Sequence, residues 1–233
     1  MKKYFYQTVN STQNIAKEYL KKGNLDIAYF TATEQTAGYG KRNRYFYSPA
    51  RQGIYLSVAL PGFNVINKNI DLLTPALSTA VVQKLQATYP NHHFSLKWVN
   101  DIYLNNKKIA GILTEQVSNG VVIGIGINLN NKTFPNNLMS KAGSINDPYF
   151  YQKNLVPSIV KAILYAINTY QTGLFLNKYK QLSSIINKMV TIRLGTKEIY
   201  GNVIDIDQLG HLVLEHEGKV VHLNSGEVIK IIT

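Results

Sequence analysis

Apolar and polar positions recur along this chain with two different periods, and the switches between them mark out its elements. In residues 11–22 (STQNIAKEYLKK), Ile15, Ala16, Tyr19 and Leu20 fall at helical spacing; Ser11 or Thr12 caps the start and Gly23 ends it. Residues 25–33 (LDIAYFTAT) and 53–60 (GIYLSVAL) read as strands. Between them, 34–52 is polar, basic and aromatic, with Gly38, Gly40 and Pro49, and predicts a long loop of the kind that is functional or disordered. Residues 70–89 predict a buried helix. Phe94–Lys97, Asp101–Leu104 and Lys108–Val117 predict short strands, the last two joined by Asn105-Asn106. Asn119-Gly120 then turns the chain into VVIGIGINLN, completing a β-meander. Residues 131–148 are loop-like, and 149–185 are helical with a break near Gly173. From about residue 187, MVTIRL, EIYGNVIDID, HLVLEHE, KVVHLN and EVIKII form five short strands separated by Gly and Asn turns, which predicts a small closed barrel of SH3-like type. The expected class is α+β over 1–186 followed by an all-β domain over 187–233.

Composition narrows the function. With 45% hydrophobic and 16% charged residues in 233, the chain has the make-up of a folded globular protein. It has no cysteine, which excludes disulfides, thiolate metal sites and any cysteine nucleophile. The N-terminus lacks the apolar run of a signal peptide, and no stretch approaches the roughly 20 apolar residues that span a bilayer, so a cytoplasmic location is expected. The net charge of +12 favours an anionic partner without choosing among nucleic acid, membrane, nucleotide and acidic protein.

Common motifs are absent. Gly40-Lys41 has Gln35 where a Walker A loop needs glycine and Arg42 where it needs Ser or Thr. Gly124-Ile-Gly126-Ile-Asn128 lacks the third glycine of a dinucleotide fingerprint and continues as strand. His92, His93, His211, His216 and His222 lack zinc-ligand spacing and are expected to face solvent.

Four constellations remain, each with a plain structural alternative. Glu34 to Pro49 places Lys41, Arg42 and Arg44 beside aromatics on a glycine-containing loop, which suits a phosphate and a stacked base, or is a solvated basic loop. Lys97-Trp98-Val99-Asn100-Asp101, with Lys108 eleven residues after Lys97, offers point charges for a phosphate or carboxylate; alternatively Trp98 is core and Lys97 snorkels. Gly124 to Asn128 marks a close approach by ligand or by a packed neighbour. Asn10 to Gln13 is a helix cap, and a helix N-terminus also suits a polar ligand.

In order and spacing, these segments resemble the biotin protein ligases over roughly residues 10–130. The family pattern of Ser-Thr-Asn/Gln, Gln-x-x-Gly-Arg-Gly-Arg-x-x-Arg, Lys-Trp-Pro-Asn-Asp, Lys-hydrophobic-Ala-Gly-Ile-Leu and Gly-Ile-Asn is matched by Ser11-Thr12-Gln13, Gln35 to Arg44, Lys97 to Asp101, Lys108 to Leu113 and Gly126-Ile127-Asn128. The terminal strands match in character only. The resemblance implies a mixed sheet flanked by helices, as in class II aminoacyl-tRNA synthetase cores, with an SH3-like C-terminal domain. It implies that biotin and ATP give biotinyl-5′-AMP, from which biotin passes to a lysine of a carboxyl carrier domain. Mg²⁺ is expected with the ATP phosphates.

Carried over by position, the resemblance puts Ser11, Thr12, Gln13, Gln35, Tyr39, Gly40, Lys41, Lys97 and Gly111 at biotin. It puts Gly38, Arg42, Arg44, Phe46, Asn100, Lys108 and Asn128 at ATP, with Phe46 in the adenine-stacking place, and gives Lys97, Lys41 and Arg44 the catalytic charge. The family's two loop arginines are Tyr39 and Lys41 here; lysine keeps the charge and loses the bidentate fork. The family's proline is Val99. The implied partner is the carrier domain of acetyl-CoA carboxylase or pyruvate carboxylase, with a homodimer through an edge strand as an option. Ten residues precede Ser11, too few for a helix-turn-helix domain, so DNA is not expected. A lipoate or octanoate ligase is the nearest rival, against which the loop reads Gly38-Tyr39-Gly40. A basic RNA-binding module is the rival from another class.

Overall fold

The computed structural model describes residues 1–63, 69–117 and 119–232. A seven-stranded mixed sheet runs in the order β1 (Lys2–Val9), β2 (Ala28–Gln35), β3 (Gly53–Pro61), β7 (Gly120–Asn128), β6 (Lys107–Val117), β5 (Asp101–Leu104), β4 (Phe94–Lys97). Only the β1–β2 pair is parallel, and the crossover between them is α1 (Thr12–Lys21). β1 is an edge strand that the hydrophobic pattern does not predict. Its inward positions include Tyr4 and Tyr6, polar-tipped rings that follow Lys2 and Lys3, and Tyr4 stacks on Phe30 with ring centroids 5.0 Å apart.

The two faces are covered differently. One carries α1, whose Ala16, Tyr19 and Leu20 pack on Phe30, Ala59 and Val122. The other carries α2 (Leu73–Thr88) and α4 (Leu155–Thr169), which enclose the larger core around Leu77, Val81, Ile102, Ile125 and Ile159. Loop 131–148 contains one short helical turn, α3 (Asn136–Met139). The helical run after residue 149 breaks at Gly173, which takes φ +69°, before α5 (Leu176–Leu182). Asn105 and Asn106 both adopt positive φ, as a tight hairpin requires.

The C-terminal strands are β8 (Met189–Leu194), β9 (Lys197–Ile206), β10 (Leu212–His216), β11 (Lys219–Leu223) and β12 (Glu227–Ile232), all antiparallel in the order β11-β10-β9-β8-β12. The order suits an SH3-like domain. The five strands form the antiparallel arrangement that the pattern predicts, with bulges near Val213 and Val228. β11 is a mostly exposed edge.

The turn before β10 docks on the larger sheet. Gly210 oxygen accepts the Trp98 Nε1–H at 3.1 Å, and His211 Nε2 lies 3.0 Å from Asp71. The solvent-facing expectation therefore fails for His211, which is held between Asp71 and Asp207. Trp98 is core, and its indole N–H has a partner in the turn before β10.

Candidate active site

The sheet's α1 face is uncovered beyond the helix, and there the chain encloses a cavity of about 940 Å³. Its floor is β6 and β7, where glycine decides what can approach. A Cβ on Gly124 would sit 2.4 Å from Gln13 Oε1, and one on Gly126 would sit 2.4 Å from the Phe46 ring. The glycines of this strand thus seat one side chain from α1 and one from the loop above. That is the packing alternative, realised inside a cavity wall.

One end of the cavity is polar and buried. Ser11 caps α1, its Oγ accepting the Gln13 N–H. Thr12 N–H donates to Gln35 Oε1 at 2.8 Å, and Gln35 Nε2 donates to Ser48 Oγ. Thr12 Oγ1 lies 2.9 Å from Ser57 Oγ, Ser57 donates to Gln13 Oε1, and Gln13 Nε2 donates to the Val122 carbonyl. Ser11, Thr12, Gln13, Ser48 and Ser57 are all buried. The chain of hydrogen bonds fixes each amide and hydroxyl in one orientation, so this end recognises shape and polarity with little freedom to adapt.

The other end is cationic and assembled from distant segments. Lys97 ends β4, Lys41 stands on the loop, and Lys108 on β6 pairs with Asp101 at 2.7 Å. Burial pushes the ammonium pKa of both Lys41 and Lys97 down, with Asp101 acting the other way. The loop closes as a small hairpin: Phe46 N–H donates to Gly38 O and Gly40 N–H to Arg44 O, both at 2.8 Å, around Arg42 and Asn43 in left-handed conformation. At its tip Arg42 donates to Glu227 of β12 at 2.8 Å, and Arg44 makes a two-pronged pair with the same carboxylate. The Arg44 hydrogen bonds hold the Glu227 pKa below its usual value. At the far wall Asn128 Nδ2 donates to Gly143 O, while its buried Oδ1 has no partner among the described residues and is available as an acceptor.

A polar pocket joined to a cluster of lysines and arginines, under a loop, is an arrangement for an organic acid beside a phosphate. The family comparison decides which. A family model described as biotin/lipoate A/B protein ligase matches residues 4–130, more than half of the chain, and one described as biotin protein ligase C-terminal domain matches 185–230. The chain belongs to the biotin protein ligase family. Among curated relatives it is 29% identical to the bifunctional ligase/repressor BirA of Escherichia coli over 225 residues, covering 90% of this chain and 67% of that protein. It is 27% identical to the biotin–[acetyl-CoA-carboxylase] ligase of Mycobacterium tuberculosis, covering 97% and 87%. The biotin protein ligase of Aquifex aeolicus, solved with biotin and ATP, superposes with TM-score 0.82 at 25% identity and 97% coverage of both chains.

In this ligase the structure brings nearly all the anticipated residues to one cavity. Ser11, Thr12, Gln13, Gln35, Tyr39, Gly40, Lys41, Arg42, Arg44, Phe46, Lys97, Asn100, Lys108, Gly111 and Asn128 line it. Gly38 does not. A Cβ there would meet Phe46 O and Ser48 Oγ at 2.7 Å, so Gly38 serves the close packing of the hairpin base. The Asn100 amide is committed, donating to Ile112 O at 2.9 Å. Ser57, Tyr103, Lys141, Arg193 and Glu227 also line the cavity and were not anticipated. Ser57 lies in an apolar strand, where one hydroxyl among β-formers is the only signal. Arg193 and Glu227 come from the second sheet, beyond the part of the chain that carries the family motifs.

Proposed function

We propose that this ligase activates biotin with ATP and transfers it to a lysine of a carboxyl carrier domain. A biotin carboxylate oxygen attacks the α-phosphorus of ATP, the bond to the β-phosphate oxygen breaks, and pyrophosphate leaves. The carrier lysine, as the free amine, then attacks the acyl carbon of biotinyl-5′-AMP. An amide bond forms, AMP departs with the electron pair, and the amine loses a proton. Neither step needs an enzyme nucleophile.

The observation that carries this reading is one cavity lined both by the buried polar residues and by the cations, Lys41 and Lys97 among them. Ser11, Thr12, Gln13, Gln35 and Ser57 suit the urea-like head of biotin, which presents two N–H donors and one carbonyl acceptor. Lys97 and Lys41 suit the carboxylate and α-phosphate, where negative charge gathers as the bond forms. Arg42, Arg44 and Lys108 suit the remaining phosphates. The available Asn128 Oδ1 suits an amino N–H of the base, and Phe46 its ring face. Catalysis then rests on positioning and charge.

Among the described residues no three His, Cys, Asp or Glu side chains converge as a metal site. Mg²⁺ would arrive with the nucleotide, held chiefly by phosphate and water, and would neutralise phosphate charge. No helix among the described residues is long and apolar enough to cross a membrane. We assign catalysis to residues 1–186 and treat 187–233 as a second domain. The carrier of acetyl-CoA carboxylase or of pyruvate carboxylase is the proposed acceptor.

The test is mass spectrometry of the products formed from Mg-ATP with equal biotin, lipoate and octanoate. Biotinyl-AMP is the expected adenylate. A lipoyl or octanoyl adenylate moves the substrate assignment within the family, and no adenylate from folded protein overturns it.

A further inference from the structure

Where its family has an arginine, this loop has Tyr39, and the tyrosine has built its own surroundings. Its hydroxyl oxygen lies 3.0 Å from Glu115 Oε2 on β6 and 3.1 Å from Asn14 Oδ1 on α1. Lys17, one helical turn beyond Gln13, reaches the other carboxylate oxygen of Glu115 at 3.2 Å and lies 5.2 Å from the Tyr39 ring centre. Lys17 and Glu115 are three-quarters buried or nearly so, at 24% and 29% side-chain exposure, which sets the pair apart from a surface ion pair. Burial disfavours the Lys17 cation, yet its contacts with Tyr39 and Glu115 outweigh this and raise its pKa. Burial likewise raises the pKa of the Tyr39 phenol, which stays protonated and able to donate.

We propose that Glu115 and Lys17, with Asn14, are positioning residues that clasp Tyr39 and hold the loop over the cavity before any substrate binds. The proton count supports a directed arrangement. A phenol has one proton and here faces two oxygens. The carboxylate of Glu115 is the stronger acceptor and takes it. The Asn14 amide oxygen, 3.1 Å from the same hydroxyl, is the second and weaker acceptor. The groups that hold Tyr39 all belong to the protein, and none to a substrate.

The clasp sits where it controls the reaction site. Tyr39 is followed by Gly40 and Lys41, so fixing its ring fixes the backbone that carries Lys41. The 39–45 bridge and the Gly38–Phe46 hydrogen bond pass this constraint to the rest of the hairpin. The other tie, Arg42 and Arg44 to Glu227, uses arginines about half exposed, and is the weaker hold. This inference rests on the reading of the cavity as a biotin and ATP site only for its kinetic consequence; the clasp itself needs no ligand.

The experiment is trypsin digestion of the ligand-free, full-length chain, which offers cleavage after Lys41, Arg42 and Arg44 within the clasped loop. The native loop should resist cutting. Tyr39→Phe, which removes only the hydroxyl, and Glu115→Gln, which removes the charge, should each speed cutting roughly fivefold, the effect of one lost hydrogen bond on a local opening equilibrium. Melting temperatures identify any variant that is merely unfolded. Steady-state adenylation should show KM for biotin raised by a similar factor with kcat little changed. Rapid cutting of the native loop, or equal cutting of native and Tyr39→Phe, overturns the clasp. Protected cleavage sites in a protein that forms no biotinyl adenylate would overturn the substrate reading and leave the clasp standing.

Discussion

The two ends of the cavity are built on opposite plans. The polar end comes mostly from regular elements, an α1 cap and the β2 and β3 strands, with Ser48 from the loop, and most of its side chains are buried and bonded to one another. The cationic end comes from a strand terminus, a hairpin loop and, through Glu227 and Arg193, a second sheet; its loop arginines are about half exposed. A buried network selects by fit, because an ill-matched ligand leaves polar groups without partners. A gathered set of charges stabilises whatever negative charge appears there, and tolerates movement. Recognition and catalysis are thus given to different kinds of structure.

The largest effect is expected at the cationic end. Lys97→Ala removes the ammonium that faces the proposed carboxylate and α-phosphate. Single-turnover adenylate formation should slow by roughly 10²- to 10³-fold, the cost of one donor to a developing anion. Biotin binding by calorimetry should change far less. If affinity falls as much as rate, Lys97 belongs to recognition and the division between the ends fails there.

Thr12→Val should do the reverse. The isosteric change strips a hydroxyl that contacts both Gln35 Oε1 and Ser57 Oγ. Leaving those buried groups short of a partner costs about 1–3 kcal/mol. The loss should show in melting temperature and in KM for biotin, with the rate of the bound complex nearly intact. A large fall in kcat would mean that the polar end also sets the reacting geometry.

The difference in plan also governs what could be read from the chain. The polar end is legible in part: Ser11 to Gln13 form a local cap, and Gly124 and Gly126 announce a close approach on a strand, whereas Ser57, 44 residues from Gln13, carries no such local signal. The meander from Phe94 to Asn128 is legible because its turns are Asn-Asn and Asn-Gly. β1 is not, since this edge strand buries no residue fully, only covering Tyr4, Tyr6 and Val9 in part, and so lacks the apolar alternation of an inner strand. The resemblance puts Gly38 at nucleotide by position, whereas in the fold it packs against Phe46 and Ser48, which only the folded hairpin brings near. Glu227 lies more than 180 residues from Arg42 and Arg44, and no periodicity or spacing relates them.

Lys41→Arg tests the cationic end by improving it. Arginine restores the planar fork that a carboxylate or phosphate accepts in two places. Dissociation of biotinyl-AMP, followed by chasing labelled intermediate with excess biotin and ATP, should slow by roughly threefold to tenfold. An unchanged off-rate would show that Lys41 already makes all the contact the site permits, and that the departure from the family pattern has no kinetic cost.

The smallest effect belongs to the tie between the two sheets. The Arg44 hydrogen bonds lower the Glu227 pKa, so the contact stabilises the fold at pH values above the carboxylate's unfolded value of 4.5. It is lost as pH falls through the depressed folded value, where the carboxylate takes a proton. Because both arginines are about half exposed, the contribution at neutral pH should be no more than about 1 kcal/mol. Glu227→Gln should therefore melt slightly below the native chain at pH 7. The gap should narrow in high salt and close at strongly acid pH. A gap that persists in both conditions would mean that Glu227 holds the loop by packing, and the cationic end would then be more rigid than its exposure implies.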